Sequence, residues 1–292
     1  MKLWHTAALS VAVALSPSVM ANTVHSVASF SVLADIVKNV GGEHVEVKSL
    51  VQPNGDPHTF EPSPKDSVLI NKADVVFVSG LGLEGWMDRL VKSSGFKGDI
   101  VTASNGIKTR SMVEDGEKIT DPHAWNSAKN GEVYARNVMN ALIKADPADA
   151  KYFKKHGEAY IQQLEKLDVW AKEKMASIPE EKRKVLTSHD AFGYFGQEYN
   201  VKFLAPVGFS TESEASASGV GKLINQIKKE GIHTYFIENQ TDPRLVKQIA
   251  SATGAKSGGE LYPEALTDAK GEAPTYVAAF EHNVNTMYKA MK

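Results

Sequence analysis

The chain has 292 residues, a formal charge of −2 at pH 7 and no cysteine. The weak negative charge argues against nucleic acid or an anionic membrane as a partner. The lack of thiols excludes disulfides and thiolate ligands, so any metal must be held by nitrogen and oxygen. A chain of this length is sufficient for two medium-sized domains.

The first 21 residues have the pattern of a signal peptide. Lys2 gives a positive start, residues 7–16 form an apolar run too short to cross a bilayer, and Val19-Met20-Ala21 is a small-residue cleavage site. We therefore expect the mature chain to begin near Asn22 and to be exported to the periplasm. Because a lipid anchor would need a cysteine just after the signal, we expect a protein that is free in the periplasm.

Strands and helices alternate in the first half of the chain. Ser31 is expected to cap the helix that follows the first strand, and Gly41-Gly42 to end that helix. The continuous apolar character of the third strand is typical of a buried parallel sheet. The β-rich runs predict strands at 24–30, 45–51, 74–80 and 99–102.

The second half repeats this alternation, and a long polar helix lies between the halves. Asp146-Pro147 is a typical helix start. We predict an α/β protein of two lobes, 22–145 and 179–292, each with a mostly parallel sheet flanked by helices and joined by one long helix at 146–178. Strands are predicted at 184–187, 201–204 and 233–238, and the segment 256–261 opens toward the last strand and loop. The apolar stripe of the long helix comprises Tyr152, His156, Tyr160, Leu164, Leu167 and Trp170.

Three histidines occur at nearly even spacing in turn-like stretches or directly after an apolar run. The tripeptide Asp56-Pro57-His58 is repeated as Asp121-Pro122-His123, and Ser188-His189-Asp190 follows a predicted strand. This spacing is not that of ligands on one helix, so the tertiary fold would have to bring the imidazoles together. A transition metal is the simplest reason to do so, because histidine is its commonest ligand near neutral pH.

These segments resemble one known family over nearly the whole mature chain. The opening at residues 29–42, the segments that begin at Asp56 and at Asp121, and Ser188 to Phe195 are similar to its motifs. The family is the metal-specific solute-binding proteins of ABC importers, the zinc and manganese group with two lobes joined by a long helix. The resemblance implies a divalent metal as cargo and an inner-membrane ABC permease as partner, and we expect a monomer.

The resemblance also implies three histidines and one carboxylate as ligands, here His58, His123 and His189 with Glu264. The family usually has aspartate in the fourth position, so Asp268 is the alternative to Glu264. Asp190 and Glu238 are candidates to orient an imidazole. Three imidazoles and one carboxylate favour zinc as the bound ion, while a carboxylate that binds through both oxygens would admit manganese or ferrous iron.

Two functions of other classes are alternatives to metal binding for transport. A hydrolase is disfavoured because no His-Glu-x-x-His motif occurs, and because contiguous residues such as Ser188, His189 and Asp190 do not form a catalytic triad. We therefore expect no enzyme activity. A metal-dependent adhesin would share the fold, and metal uptake by cells that lack the gene distinguishes it from a transport protein.

Overall fold

A computed structural model of the chain describes residues 23–114, 116–208, 210–211 and 215–292. The predicted signal peptide therefore lies outside the described residues. Within those residues, every helix is either too short or too polar to cross a bilayer.

The N-terminal sheet contains four parallel strands in the order β2-β1-β3-β4. All four predicted strands are present, and most end a residue or more before the predicted limits. The strand β3 is buried along its whole length, as its apolar sequence predicts. The bounds are β1 at Val24–Ala28, β2 at Val45–Ser49, β3 at Val75–Val78 and β4 at Asp99–Thr102.

Among the described residues of this lobe there are four α-helices. Ser31 is the first residue of the first helix, which begins after Phe30, so the prediction that Ser31 caps it is wrong. Gly42 ends that helix with a φ of 57°, a left-handed value that glycine adopts without a steric penalty. The helices are α1 at Ser31–Gly41, α2 at Pro64–Asn71, α3 at Met87–Ser94 and α4 at Ala128–Ala145.

An antiparallel hairpin precedes the second Asp-Pro-His motif. Its strands are β5 at Ser111–Glu114 and β6 at Glu117–Thr120. The sequence analysis predicts no strand in this segment. The hairpin delivers the chain directly to Asp121.

The long helix α5 spans Ala150–Ala176. It begins later than predicted because Pro147–Asp149 forms a separate 3-10 turn, in which the Asp146 side chain accepts the Ala148 N–H at 3.0 Å. The helix packs against α4 and α1 on one side. The buried stripe also differs from the prediction, since it runs through Phe153 and Gly157, whereas Tyr152 and His156 are only half-buried.

The C-terminal sheet is again four parallel strands, in the order β10-β9-β7-β8. Helices α6 and α9 contact α5 from this side, so the long helix touches both lobes. The strands are β7 at Lys184–Leu186, β8 at Lys202–Leu204, β9 at Thr234–Glu238 and β10 at Lys256–Leu261, and the helices are α6 at Gly193–Tyr199, α7 at Ala217–Glu230, α8 at Arg244–Thr253 and α9 at Tyr276–Met291.

One apolar core extends through both lobes, and a smaller separate cluster around Ile227 and Ile249 lies in the C-terminal lobe. The larger core runs from Phe77 in the N-terminal sheet through Leu164 of α5 to Phe195 of α6 and Val284 of α9. Each of these four side chains is at most 1 % exposed. Because protein interiors are close-packed, a core shared in this way resists rotation of one lobe against the other.

The loop between β10 and α9 is bonded to the N-terminal lobe. The Ser31 hydroxyl accepts the Leu266 N–H at 3.0 Å, and the Asn54 N–H donates to the Leu266 carbonyl at 2.8 Å. The Asp35 carboxylate accepts the N–H of Tyr276, the first residue of α9, at 2.8 Å. The end of the C-terminal sheet is thereby held against α1.

Asp35 lies in a half-buried position, and burial raises the pKa of its carboxyl to about 6, although the Tyr276 N–H and Lys38 act in the opposite direction. Between its unfolded pKa of about 3.9 and this value, the folded state retains a proton that the unfolded state loses. The contribution of the group to stability is therefore complete below the unfolded pKa and is lost as the pH rises through about 6.

Asp35→Asn should raise the free energy of unfolding by about 1–2 kcal/mol at pH 7.5, because asparagine accepts the same N–H without a buried charge. The gain should disappear near pH 4, where Asp35 is protonated. Urea unfolding at both pH values measures this. Asp74→Asn is the control, since Asp74 also accepts one backbone N–H but is exposed. A gain that does not change with pH would contradict the prediction.

Candidate metal centre

Four side chains that are distant in the sequence meet between the two sheets. His58, His123, His189 and Glu264 each offer one donor atom, and these atoms all lie within 4.8 Å of one another. The four side chains are at most 2 % exposed. Among the described residues, this is the one cluster of three or more histidine or acidic side chains with such geometry.

One carboxylate oxygen lies at the centre of the cluster. Glu264 Oε2 lies 3.1 Å from His58 Nε2, 3.5 Å from His123 Nε2 and 3.6 Å from His189 Nε2. The Nε2 atoms of His58 and His123 are 3.2 Å apart. Bonds of 2.0–2.1 Å to one tetrahedral ion would separate its ligands by about 3.3–3.4 Å. These four distances therefore suit a single small ion.

The repeated Asp-Pro-His tripeptide forms the same turn twice. The carboxylate of Asp56 accepts the His58 N–H at 2.8 Å, and that of Asp121 accepts the His123 N–H at 2.9 Å. Both are Asx turns, in which the side chain replaces a backbone acceptor. Since proline fixes the φ angle between the two bonded residues, each histidine is held in a defined direction by its own tripeptide.

Neighbouring groups stiffen both turns. The Trp86 indole N–H donates to the Pro57 carbonyl at 2.9 Å. Asp121 uses its Oδ1 a second time, 2.9 Å from His123 Nδ1, while its other oxygen forms an ion pair with Arg110. A carboxylate on Nδ1 keeps the opposite nitrogen of the ring available as a ligand.

The third histidine lies at the carboxyl end of β7, where parallel sheets commonly bind ligands. Glu238, the last residue of β9, contacts His189 Nδ1 and also accepts the backbone N–H groups of Ser188 at 3.0 Å and His189 at 3.2 Å. Our prediction that Glu238 could orient an imidazole agrees with this contact. Asp190, the other candidate, lies near Asp121 instead, and burial together with the Asp121 charge raises the pKa of its carboxyl.

Glu264 follows β10 in the loop that crosses to the N-terminal lobe. Its neighbour Pro263 is held through its carbonyl, which accepts the Trp125 indole N–H at 2.7 Å and the Asn126 amide at 3.0 Å. These two residues lie two and three positions after His123, so the second and fourth ligand positions of the cluster are fastened to each other. Asp268, the alternative to Glu264, is exposed and is not part of the cluster.

The charges of the cluster compensate one another. Burial acts to raise the pKa of the Glu264 carboxyl, but His58, His189 and His123 outweigh burial and hold that pKa well below its usual value. Burial acts to lower the pKa of His189, yet Glu238 and Glu264 raise it well above its usual value. The pKa of His123 is raised against burial by Asp121 and Glu264.

The structure brings together the four residues that the sequence predicts as ligands, and it adds supporting residues that were not predicted. The sequence analysis names Asp121 only as part of a motif. Its place at the start of the second Asp-Pro-His tripeptide, like that of Asp56 in the first, was the signal that it supports a histidine. Trp125, Asn126 and Gln240 were not predicted to take part, because a hydrogen bond to a distant carbonyl or carboxylate leaves no local pattern in the sequence.

The chain belongs to the family described as zinc-uptake complex component A, periplasmic, which matches residues 27–290. It is 35% identical over 272 residues to the manganese-binding lipoprotein MntA of Bacillus subtilis, covering 91% of this chain and 89% of that protein. It is 32% identical over 279 residues to the iron-binding protein YfeA of Yersinia pestis, covering 94% and 88%. The periplasmic zinc-binding protein TroA from Treponema pallidum superimposes with a TM-score of 0.86 at 31% identity, covering 92% and 99% of the two chains.

These matches confirm the resemblance found in the sequence and the two-lobed α/β fold with a long helix. The protein is a metal-binding substrate-binding component of an ABC importer, and it works with a membrane permease and an ATPase. A divalent metal is its cargo. The family consists of transport proteins rather than enzymes.

The expected localisation is wrong according to the same relatives. We expected a protein that is free in the periplasm and not lipid-anchored, whereas four relatives, including that of Bacillus subtilis, are named lipoproteins. Such names indicate proteins that are anchored to lipid and face the outside of the cell. The lack of cysteine removes one attachment chemistry but does not by itself determine where a protein is held, so the expectation is given up.

Metal affinity should fall steeply as the pH is lowered, because protons compete with the metal for the imidazoles. The raised pKa values of His123 and His189 extend this competition to higher pH. We expect the apparent zinc affinity to fall by more than about tenfold per pH unit from pH 7.5 to 5.5. Titration against a competing chelator measures it, with far-UV circular dichroism at each pH to show that the chain stays folded. A flat profile would contradict a site of histidines.

Proposed function

We propose that the protein binds zinc through His58, His123, His189 and Glu264 and delivers it to the membrane permease of its importer. The observation that carries this proposal is the convergence of four buried donor atoms within 4.8 Å. A set of three imidazole nitrogens and one carboxylate oxygen is a common zinc environment, and zinc is most often four-coordinate. The compensated charges of the cluster allow it to stay buried before the metal arrives.

Manganese or ferrous iron is the second candidate cargo. The names of the relatives from Bacillus subtilis and Yersinia pestis favour it, since they refer to manganese and iron. Manganese prefers more oxygen ligands and a higher coordination number than three imidazoles and one oxygen provide. Zinc also binds nitrogen and oxygen sites more strongly than manganese does. Metal analysis of protein purified without chelator or affinity tag tests the choice.

The proposal includes binding without catalysis. Catalytic zinc needs an open position for water and a nearby general base. The four donors would fill a tetrahedral ion. The carboxylates of Asp121 and Glu238 already contact the Nδ1 atoms of His123 and His189, so neither is available as a base.

We also propose the division predicted from the sequence, with lobes at 22–145 and 179–292 and the connecting segment at 146–178. It is supported by the two separate sheets and by the helix between them. His58 and His123 then come from the first lobe, and His189 and Glu264 from the second. Metal bound between the lobes would be released to the permease when local movements around the cluster separate these pairs of ligands.

Replacement of His58, His123 or His189 by alanine should each weaken zinc binding by about a hundredfold or more, since loss of a ligand's outer partner alone costs 10- to 100-fold. Competitive titration with a chromogenic chelator measures the affinity. His233→Ala is the matched control, because His233 is an exposed histidine of the second lobe. If all three variants bound zinc as the parent does, the site would be elsewhere.

Glu264→Ala should weaken zinc binding because it removes the one anionic ligand, yet three imidazoles and a water should still hold the ion. Asp268→Ala should leave the affinity unchanged, since Asp268 is exposed and outside the cluster. Both affinities are measured in the same competition assay. The reverse order of effects would assign the fourth ligand to Asp268.

A further inference from the structure

The two oxygens of the Glu264 carboxylate have different partners. Oε2 faces the three imidazoles, whereas Oε1 accepts a hydrogen bond from the Gln240 amide at 3.0 Å. A carboxylate that binds an ion through both oxygens must turn both of them toward it. Turning Oε1 into the cluster would break the bond to Gln240.

Gln240 is held in this role by its position in the chain and by the hydrogen bonding of its amide, in which only the nitrogen has a partner among the described residues. It lies two residues beyond Glu238, so the end of β9 supports His189 and Glu264 together. Among the described residues, the buried Oε1 of Gln240 finds no donor. The amide therefore keeps its orientation chiefly through the bond that its N–H group donates to a charged oxygen, and such charge-assisted bonds are the stronger kind.

The backbone on the other side of Glu264 is fixed as well. Trp125 and Asn126 hold the carbonyl of Pro263. The torsions of the Glu264 side chain are then the main freedom left to the carboxylate, and Gln240 restrains them. The bonded amide lines a cavity of about 670 Å³ that also reaches His189, so there is open space beside Gln240 for a substituted side chain.

We propose that Gln240 is a positioning residue that sets metal selectivity: by holding Oε1, it limits Glu264 to one bond to the metal and so favours zinc over manganese. The inference rests on the proposed function, since it requires Glu264 to be a ligand. A single carboxylate oxygen with three imidazoles gives the four-coordinate set that zinc takes. With both oxygens available, the coordination number rises and the site becomes more favourable to manganese.

The test is Gln240→Met, which keeps the length of the side chain and removes its N–H donors. Dissociation constants for Zn²⁺ and Mn²⁺ are measured by competition, and the visible absorption of the Co²⁺-loaded protein reports the coordination number. We expect the strong absorption of four-coordinate Co²⁺ in the parent and a weaker, five- or six-coordinate spectrum in the variant. The preference for zinc over manganese should fall by about tenfold or more, as expected for loss of a partner of a ligand.

Two further variants make the result specific. Gln248→Met is the matched control, because Gln248 lines the same cavity from α8, is exposed and has no contact with Glu264. It should match the parent in spectrum and selectivity. Gln240→Asn keeps the amide but is one methylene shorter, so it should change both readouts in the same direction as Gln240→Met and serves if the methionine variant does not fold.

The outcomes separate this inference from the proposed function. A parent that binds zinc through His58 and Glu264, with Gln240→Met equal to it in Co²⁺ spectrum and in metal preference, overturns the inference alone. So does a parent whose Co²⁺ spectrum is already five- or six-coordinate. A parent that binds neither Zn²⁺ nor Co²⁺ overturns the proposed function, and the inference with it.

Discussion

The burial of one carboxylate oxygen among three imidazole nitrogens is the constraint on which the rest of this structure depends. A charge removed from water is costly unless it is paired and hydrogen-bonded. Glu264 is fully buried, and the imidazoles around it keep it ionised. The same carboxylate helps to raise the pKa values of His123 and His189. Attraction between the Glu264 carboxylate and the imidazoles therefore helps to hold the cluster together. A cation that displaces protons from the imidazoles meets donor atoms that are already close together.

Such a cluster stays in place only if each side chain is also bonded on the side that faces away from the other three. Asp121 contacts the far side of the His123 ring, Glu238 that of the His189 ring, and Gln240 the second oxygen of Glu264. Arg110 in turn balances Asp121. The close packing extends to Gly193 at the start of α6, where an added Cβ would clash with the Arg110 guanidinium. Side chains of this kind orient the donors of metal sites and tune their affinity.

The scaffold resists separation of the lobes. One apolar core passes from the first sheet through α5 to the last helix. The loop of Glu264 is tied to α1 through Ser31, to the segment after β2 through Asn54, and to the second Asp-Pro-His segment through Trp125. Release of a bound ion must therefore involve local movements around the cluster, because a wide opening of the lobes would break a shared core together with these hydrogen bonds.

Much of the architecture follows from local sequence. The strand at 99–102 has the bounds that its composition predicts, because alternation of apolar runs and turn residues is read over a few positions. The hairpin at 111–120 was missed, since its short polar strands lack an apolar pattern. The long helix begins at Ala150 rather than Asp146 because Pro147–Asp149 forms a 3-10 turn. Its buried face includes Phe153 rather than Tyr152, which stacks on His44.

For the candidate site, the sequence by itself determined the types of donor and their attachment to the backbone. The repeated Asp-Pro-His tripeptide encodes its own turn, and this holds whatever surrounds it. Only the tertiary structure decided which carboxylate joins the histidines. It brings Glu264 into the cluster and leaves Asp268 in solvent, because the loop after β10 is bonded to the first lobe through Pro263 and Leu266. It also decided the role of Gln240, since a contact between distant residues depends on how two sheets are packed.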